Sequence, residues 1–211
     1  MIIGFSHVIY NANNSQLALD NMMDLGYRLT KSHLNVASSA LKNQFLSQPL
    51  EFHDIHLLDG PITTEITSYG NTAVFESKRI LHKGDFLEVQ TSKYLEDLKF
   101  FTEGLGLNQT EGSALKLSAP FKKWTITLEL SDVGSPCTTD FLDSEGLTCL
   151  SFLSSDIVTD SHRLAGLGAY DLTPVFPILL DTKSMSIVMG RSPGGIMFEL
   201  IKIENRRHEN S

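Results

Sequence analysis

The chain opens on a short apolar run, Gly4-Phe5-Ser6-His7-Val8-Ile9-Tyr10, followed by a polar turn, Asn11-Ala12-Asn13-Asn14. Beyond the turn Ala18, Leu19, Met22 and Leu25 recur at the spacing of one helix face, and Gly26 supplies a left-handed stop. The same phrase returns twice. Phe86-Leu87-Glu88-Val89 leads through Ser92 to Leu105-Gly106, and Leu147-Thr148-Cys149-Leu150-Ser151-Phe152 leads through Ser155-Asp156 to Leu167-Gly168. A strand-to-helix phrase that recurs at a coarse period marks a repeated supersecondary module.

Each helix is followed by strand-like segments. In the first module the chain resumes an extended pattern at 27–30, and residues 32–42 are polar and Ala-rich, read as a loop with a short helix covering a pocket. Strands are predicted at 44–48, 52–58 and 62–68, the last two joined by an Asp59-Gly60-Pro61 turn. In the second, a strand at 85–91 precedes a helix with Leu95, Leu98, Phe101 and Leu105 inward and Lys93, Glu96, Asp97 and Lys99 to water. Strands at 115–118 and 124–130 follow, the latter with Trp124, Ile126, Leu128 and Leu130 on one face and Thr125, Thr127 and Glu129 on the other. The connection 70–84 adds a strand within 74–81, and 131–145 is an Asp/Ser/Gly-rich linker. The third module has a strand at 147–153, a helix at 156–166, a Pro-bounded stretch at 174–180, a strand at 184–190, a Pro193-Gly194-Gly195 turn and a strand at 196–203.

The order of elements predicts an α+β fold: repeated β-α-β-β-β modules over 1–70, 71–132 and 146–204, then a polar tail, 205–211. Curved mixed sheets surround a cleft, with the helices outside. An odd number of modules leaves one sheet without a partner of its own kind. Linker segments or a second chain must cover it, which predicts a homodimer.

Composition narrows the function classes. The formal net charge of −8 over 211 residues, with only three adjacent basic pairs, argues against a nucleic-acid partner. No segment approaches the roughly 20 apolar residues that cross a bilayer, so no membrane partner is expected. Cys137 and Cys149 do not form a CxxC pair, and the N-terminus shows no secretory pattern; together these predict a reducing, cytoplasmic setting. There is no phosphate-binding glycine loop and no Gly-x-Ser-x-Gly elbow.

Three stretches carry a resemblance: Phe5-Ser6-His7-Val8 with Leu25-Gly26, Gly60-Pro61-Ile62-Thr63-Thr64-Glu65-Ile66-Thr67, and Pro193-Gly194-Gly195-Ile196-Met197-Phe198-Glu199-Leu200-Ile201. With them the chain resembles the vicinal oxygen chelate superfamily, which includes glyoxalases, extradiol dioxygenases, methylmalonyl-CoA epimerase and the bleomycin-resistance proteins. The resemblance implies that the three modules form one glyoxalase-like unit. It also implies a divalent ion (Zn, Ni, Fe or Mn) held by a first-strand residue and a last-strand carboxylate of paired modules.

Carried over residue by residue, His7 is the first-strand ligand of the first module and Glu65 its last-strand carboxylate. Leu87 and Glu129 are the equivalents in the second module, Cys149 and Glu199 in the third. Counting back 19 residues from the helix-ending glycine sets this register: 26 − 7, 106 − 87 and 168 − 149. Only His7 is an imidazole, and Leu87 cannot bind a metal.

The candidate ligands are therefore His7, Glu65 and Glu199, with Glu129 as a candidate general base and His56, Trp124 and Cys149 as candidate substrate-binding side chains. Two readings stand. One is a metal-dependent lyase, isomerase or dioxygenase acting on a small molecule with adjacent oxygens. The other is a metal-free binding or sequestering protein of the same fold, which the missing second histidine favours. Adjacency pairs the first and second modules, ligand match the first and third.

Overall fold

The computed structural model describes residues 1–69, 76–77, 79–110, 114–119, 124–134, 141–181 and 183–204. Unit one consists of β1 (Ile2–Asn11), α1 (Ser15–Asp24), β2 (Arg28–Ala37), the short α2 (Ala40–Asn43), β3 (Phe52–Asp59) and β4 (Thr64–Ser68). The connecting strand β5 (Ile80–Lys83) leads to unit two: β6 (Phe86–Thr91), α3 (Tyr94–Lys99) with a π-helical turn Phe100–Gly104, β7 (Asn108–Gln109), β8 (Ala114–Leu117) and β9 (Ile126–Asp132). Unit three is β10 (Gly146–Ser154), α4 (Ile157–Gly166), β11 (Phe176–Leu180), β12 (Lys183–Arg191) and β13 (Met197–Glu204). The tail 205–211, residues 135–140 of the linker and residues 74, 75 and 78 of the expected 74–81 strand lie outside the described residues, and the strand found there, β5, begins only at Ile80.

Local chemistry sets the helix ends. The Asn14 side chain accepts from Leu17 N at the start of α1, and Asp156 does the same for Thr159 N at α4. Gly26 and Gly168, both at φ 88°, turn the chain out of these helices, a conformation that costs a residue with a Cβ.

In every unit the first strand runs parallel beside the last: β1 with β4, β6 with β9, β10 with β13. Units one and three are joined through their first strands, β1 antiparallel to β10, with His7 opposite Ser151 and Ile9 opposite Cys149. The pairing is thus of units one and three. Unit two's first strand is taken on its other edge by β5, which forms a hairpin with β6 and meets β10 at Ile80 and Leu147. The mixed sheet is curved but not closed. The far edge of unit one and the β11–β12 turn of unit three meet through side chains, Lys31 Nζ and His33 Nδ1 lying 2.5 and 3.1 Å from Asp181.

Several local expectations are corrected. Residues 44–48 form turns after α2, because Phe45 and Leu46 are buried inside the pair of units and not along a ladder. The polar run from 32 is largely strand: β2 extends to Ala37 as an edge strand with mostly wet side chains, which erases the alternation expected of a half-buried strand. Trp124 precedes β9 and does not belong to its inward face. Leu25 and Leu95 are exposed, while Asp97 is fully buried.

The π turn also shifts the register of unit two. It widens one helical turn by a residue, so Phe100 and Phe101 both point into the core. Glu88 pairs with Glu129 as Ile9 pairs with Glu65 and Ser151 with Glu199. The position two residues before Glu88, equivalent to His7 and Cys149, is therefore Phe86, and Leu87 lies in the core.

Two main apolar clusters result. One lies between the sheets and the helices α3 and α4; the other fills the interior enclosed by units one and three.

Candidate active site

Parallel pairing of β1 with β4 sets Glu65 beside Ile9, and pairing of β10 with β13 sets Glu199 beside Ser151. Since β1 and β10 are themselves neighbours, both carboxylates reach His7. His7 Nε2 lies 3.3 Å from Glu65 Oε2 and 3.9 Å from Glu199 Oε2, and all three side chains are buried. On the other ring nitrogen, Ser6 Oγ stands 3.0 Å from His7 Nδ1. Ser151 Oγ donates to Glu199 Oε2 at 2.8 Å. The three residues expected as metal ligands are thus brought together.

The interior holds further polar groups that sequence reasoning missed. Lys42, on α2, is 2% exposed, and its Nζ lies 5.4 Å from the centre of the Tyr69 ring. Tyr69 packs on His53 with ring centres 5.0 Å apart. Both nitrogens of His53, the Tyr69 hydroxyl, His7 Nε2 and Glu65 Oε1 are buried without a hydrogen-bond partner.

The charges are strongly coupled. Burial opposes a charged His7 ring, but the Glu65 carboxylate and then Glu199 outweigh it and raise its pKa above 6.5. At 3.3 Å with Nε2 unpartnered, that effect is one of charge proximity and not of an aligned hydrogen bond. Burial pushes the Glu65 carboxyl up, yet His7, Lys42 and His53 pull it down to about 2. Burial would strip the proton from Lys42, but Tyr69, Glu65 and Glu199 hold it on and raise its pKa, so the side chain is an ammonium. Burial, then the Lys42 charge, lowers His53 to about 3, so this ring is neutral at neutral pH. Burial also pushes the Tyr69 phenol up to about 12.

The other expected site residues are placed elsewhere or differently. Cys149 shares the interior face with Glu199 but sits in the apolar cluster, its thiol pKa raised by burial and then by Glu199. His56 lies on the opposite face of β3, with Nδ1 2.9 Å from Ser32 Oγ. Trp124 packs at the rim of the interior cluster, against Gly4. Glu129 is in unit two, between Glu88 and Ala114, away from His7. His53 could have been found by parity: the hairpin that sets Leu57 opposite Glu65 keeps His53, and not His56, on the Glu65 face. A cavity of about 410 Å³ lined by Tyr10, Met22, Tyr27, Thr64, His82 and Leu147 lies on the helix side of the same strands.

The donor types suit a hard divalent ion, with one imidazole and two carboxylates, and two of the donor atoms are orphaned. The arrangement does not. Among the described residues no group of three His, Cys, Asp or Glu side chains could hold a metal ion.

Comparison with protein families and with curated proteins finds no match. Among solved structures the chain is similar to methylmalonyl-CoA epimerase from Mycobacterium tuberculosis, at 13% identity, covering 97% of this chain and 91% of that one, with a TM-score of 0.47. It is also similar to a candidate dioxygenase from Bacillus subtilis (14% identity, 97% of this chain, TM-score 0.43), of which it spans 64% of the length. Glyoxalase I from Zea mays matches at 14% identity, over 94% of this chain and 67% of that one, with a TM-score of 0.37. Likeness at this level says nothing of what the chain does. The fold itself is plain in the topology: an α+β arrangement of curved mixed sheet, as the order of elements predicts, in units with parallel first and last strands, two of them joined through their first strands. Among the described residues no helix is long and apolar enough to cross a membrane.

Proposed function

We propose that the interior of units one and three takes up a small molecule with adjacent oxygens and moves a proton on it, in a lyase- or isomerase-type step. The observation that supports this is His7, held between carboxylates from the last strands of two different units. In its neutral form His7 can take a proton from a carbon next to a carbonyl, and the ionised Glu65 stabilises the charged ring that results until the proton is returned. The C–H bond breaks, its electron pair moves onto the carbonyl oxygen, and the proton goes back to a neighbouring atom. The neutral, unpartnered His53 and the Tyr69 hydroxyl offer hydrogen bonds to the substrate oxygens.

Entry requires the segment carrying Lys42 and Phe45 to move. Its ties to unit three run through Leu142 N donating to Phe45 O and Ser47 bonding through its backbone and hydroxyl to Asp143, so it can swing with its own internal bonds kept. The same reading puts the protein in the cytoplasm, in keeping with the free buried thiol of Cys149. It also includes a homodimer, for which light scattering giving a monomer would be the contrary result.

The test is loss of the α-proton signal in D2O, followed by proton NMR, for α-hydroxyketones, α-ketoacids and acyl thioesters. Faster exchange with the wild type, cut by about 100-fold or more in His7→Gln, is expected. No faster exchange in any class overturns the reading; ligand-induced shifts without exchange would point to a binding or sequestering protein instead. A second reading, a divalent-metal lyase, isomerase or dioxygenase using His7, Glu65 and Glu199, is favoured by the unpartnered His7 Nε2 and Glu65 Oε1. Turnover that appears only on adding Zn(II), Ni(II), Fe(II) or Mn(II) would select it.

A further inference from the structure

Lysine is almost never fully buried without a charge partner, because an isolated ammonium in a dry interior is prohibitively costly. Lys42 is buried, and it does not lie on a strand facing the interior by default. It is delivered by α2, whose Ser39 cap accepts from Leu41 N and whose Asn43 side chain donates to Leu50 O and accepts from Ser38 Oγ. The carbonyl of Lys42 itself accepts from Phe45 N. The backbone is thus pinned on both sides of the residue, and the side chain is directed over Tyr69, which itself packs on His53 on the Glu65 face. The nearest neighbour of the ammonium is Tyr69, and the charges that act on it from the same interior are Glu65 and Glu199, the carboxylates that also face His7.

We propose that Lys42 is the resident cation of the His7–Glu65–Glu199 site: its ammonium neutralises the two carboxylates and keeps a divalent ion from binding them. Two unit charges enclosed in one small interior interact by about 2–3 kcal/mol at an effective dielectric of roughly 20, and a divalent ion doubles the repulsion. The ammonium therefore supplies a fixed positive charge for oxygen atoms that develop negative charge during the proposed proton transfer. That part rests on the proposed function; the exclusion of the ion does not.

Ion binding tests it directly, without turnover. Wild type, Lys42→Ala, Lys42→Met and Lys42→Arg are titrated with Ni(II), Zn(II) and Mn(II) by calorimetry, with circular dichroism to establish that each is folded. Lys42→Met keeps the stem and its packing if Lys42→Ala does not fold. The wild type and Lys42→Arg should bind none of these ions at the site. Lys42→Ala or Lys42→Met should bind one, on the order of 100-fold tighter or more, and lose it again when Glu65→Gln is added. Ion binding by the wild type that His7→Ala abolishes would overturn the proposal, as would folded charge-free variants that bind no better than the wild type. Failure of α-proton exchange would leave these results untouched, so the two readings fail separately.

Discussion

His7 on β1 and Glu65 on β4 face each other across 3.3 Å, between Nε2 and Oε2, in the closed interior of the paired units. Each shifts the other: the carboxylate raises the imidazole, and the imidazole helps hold the carboxyl at about 2. For Glu65, a folded pKa below the ordinary 4.5 gives stability that is present above that value and lost as pH falls toward 2. For His7, a raised pKa gives stability that is present below 6.5 and lost as pH rises through the folded value. Glu65→Gln removes both. We expect it to lower the His7 pKa in an NMR titration and to reduce stability by about 3 kcal/mol near pH 6 in urea. An unchanged His7 titration would show that the two side chains do not communicate.

His53 should behave oppositely. Its ring is buried neutral, lowered to about 3, so between pH 3 and 6.5 the unfolded chain binds a proton that the folded one does not. Stability from this group is complete above 6.5 and falls as the medium becomes acid, by about 1.4 kcal/mol per pH unit for one proton. His53→Phe, which keeps a flat ring against Tyr69, should flatten the acid limb of the stability profile by about that slope. Denaturation midpoints at pH 5 and pH 7 that keep the wild-type difference would contradict the assignment.

The repeated units and three converging residues were legible because strand-helix phrases recur and carry a histidine and two carboxylates at matching places. What the chain concealed has physical causes. The π turn at Phe100–Gly104 adds a residue that no hydrophobic period announces, so counting back from Gly106 reached Leu87 and not Phe86. Lys42 sits in a polar stretch that looks solvated, and only the folding of 38–47 into the interior turns it inward. His53 and His56 differ only by strand parity, which the hairpin register decides. The pairing of units one and three depends on β1 and β10 finding each other across the whole of unit two, a long-range choice that adjacency argued against and only the ligand match favoured.

The Pro193-Gly194-Gly195 turn ties unit three to unit two. Gly194 N donates to the buried Asp97 Oδ1 at 2.9 Å, and Arg79 Nη1 donates to Gly194 O at 2.6 Å. A Cβ at Gly194 would fall well inside van der Waals contact of both Asp97 and Thr91. Gly194→Ala should therefore destabilise by about 1–3 kcal/mol through overpacking, seen as a lowered Tm with the His7 titration unaltered. A neutral substitution would mean that the turn can shift without loss.

Phe45 belongs to the apolar cluster of the interior. It is buried against Cys149, Tyr69 and Leu142, and the Arg191 guanidinium lies 5.6 Å from its ring centre. Phe45→Ala should cost about 3 kcal/mol in global stability. A filler buried in a core would do no more. A cover would also ease local opening, and if the same free energy comes off that opening, access to the interior rises by roughly 100-fold. Cys149 reports it, being on the same interior face with no exposed surface in the wild type. Alkylation at Cys149, resolved from Cys137 by peptide mass spectrometry, should accelerate well below the unfolding transition in Phe45→Ala and scarcely at all in Leu128→Ala. That variant makes a comparable cavity in the other core cluster. Equal acceleration in both would reduce Phe45 to packing, and a ligand would then need another way in.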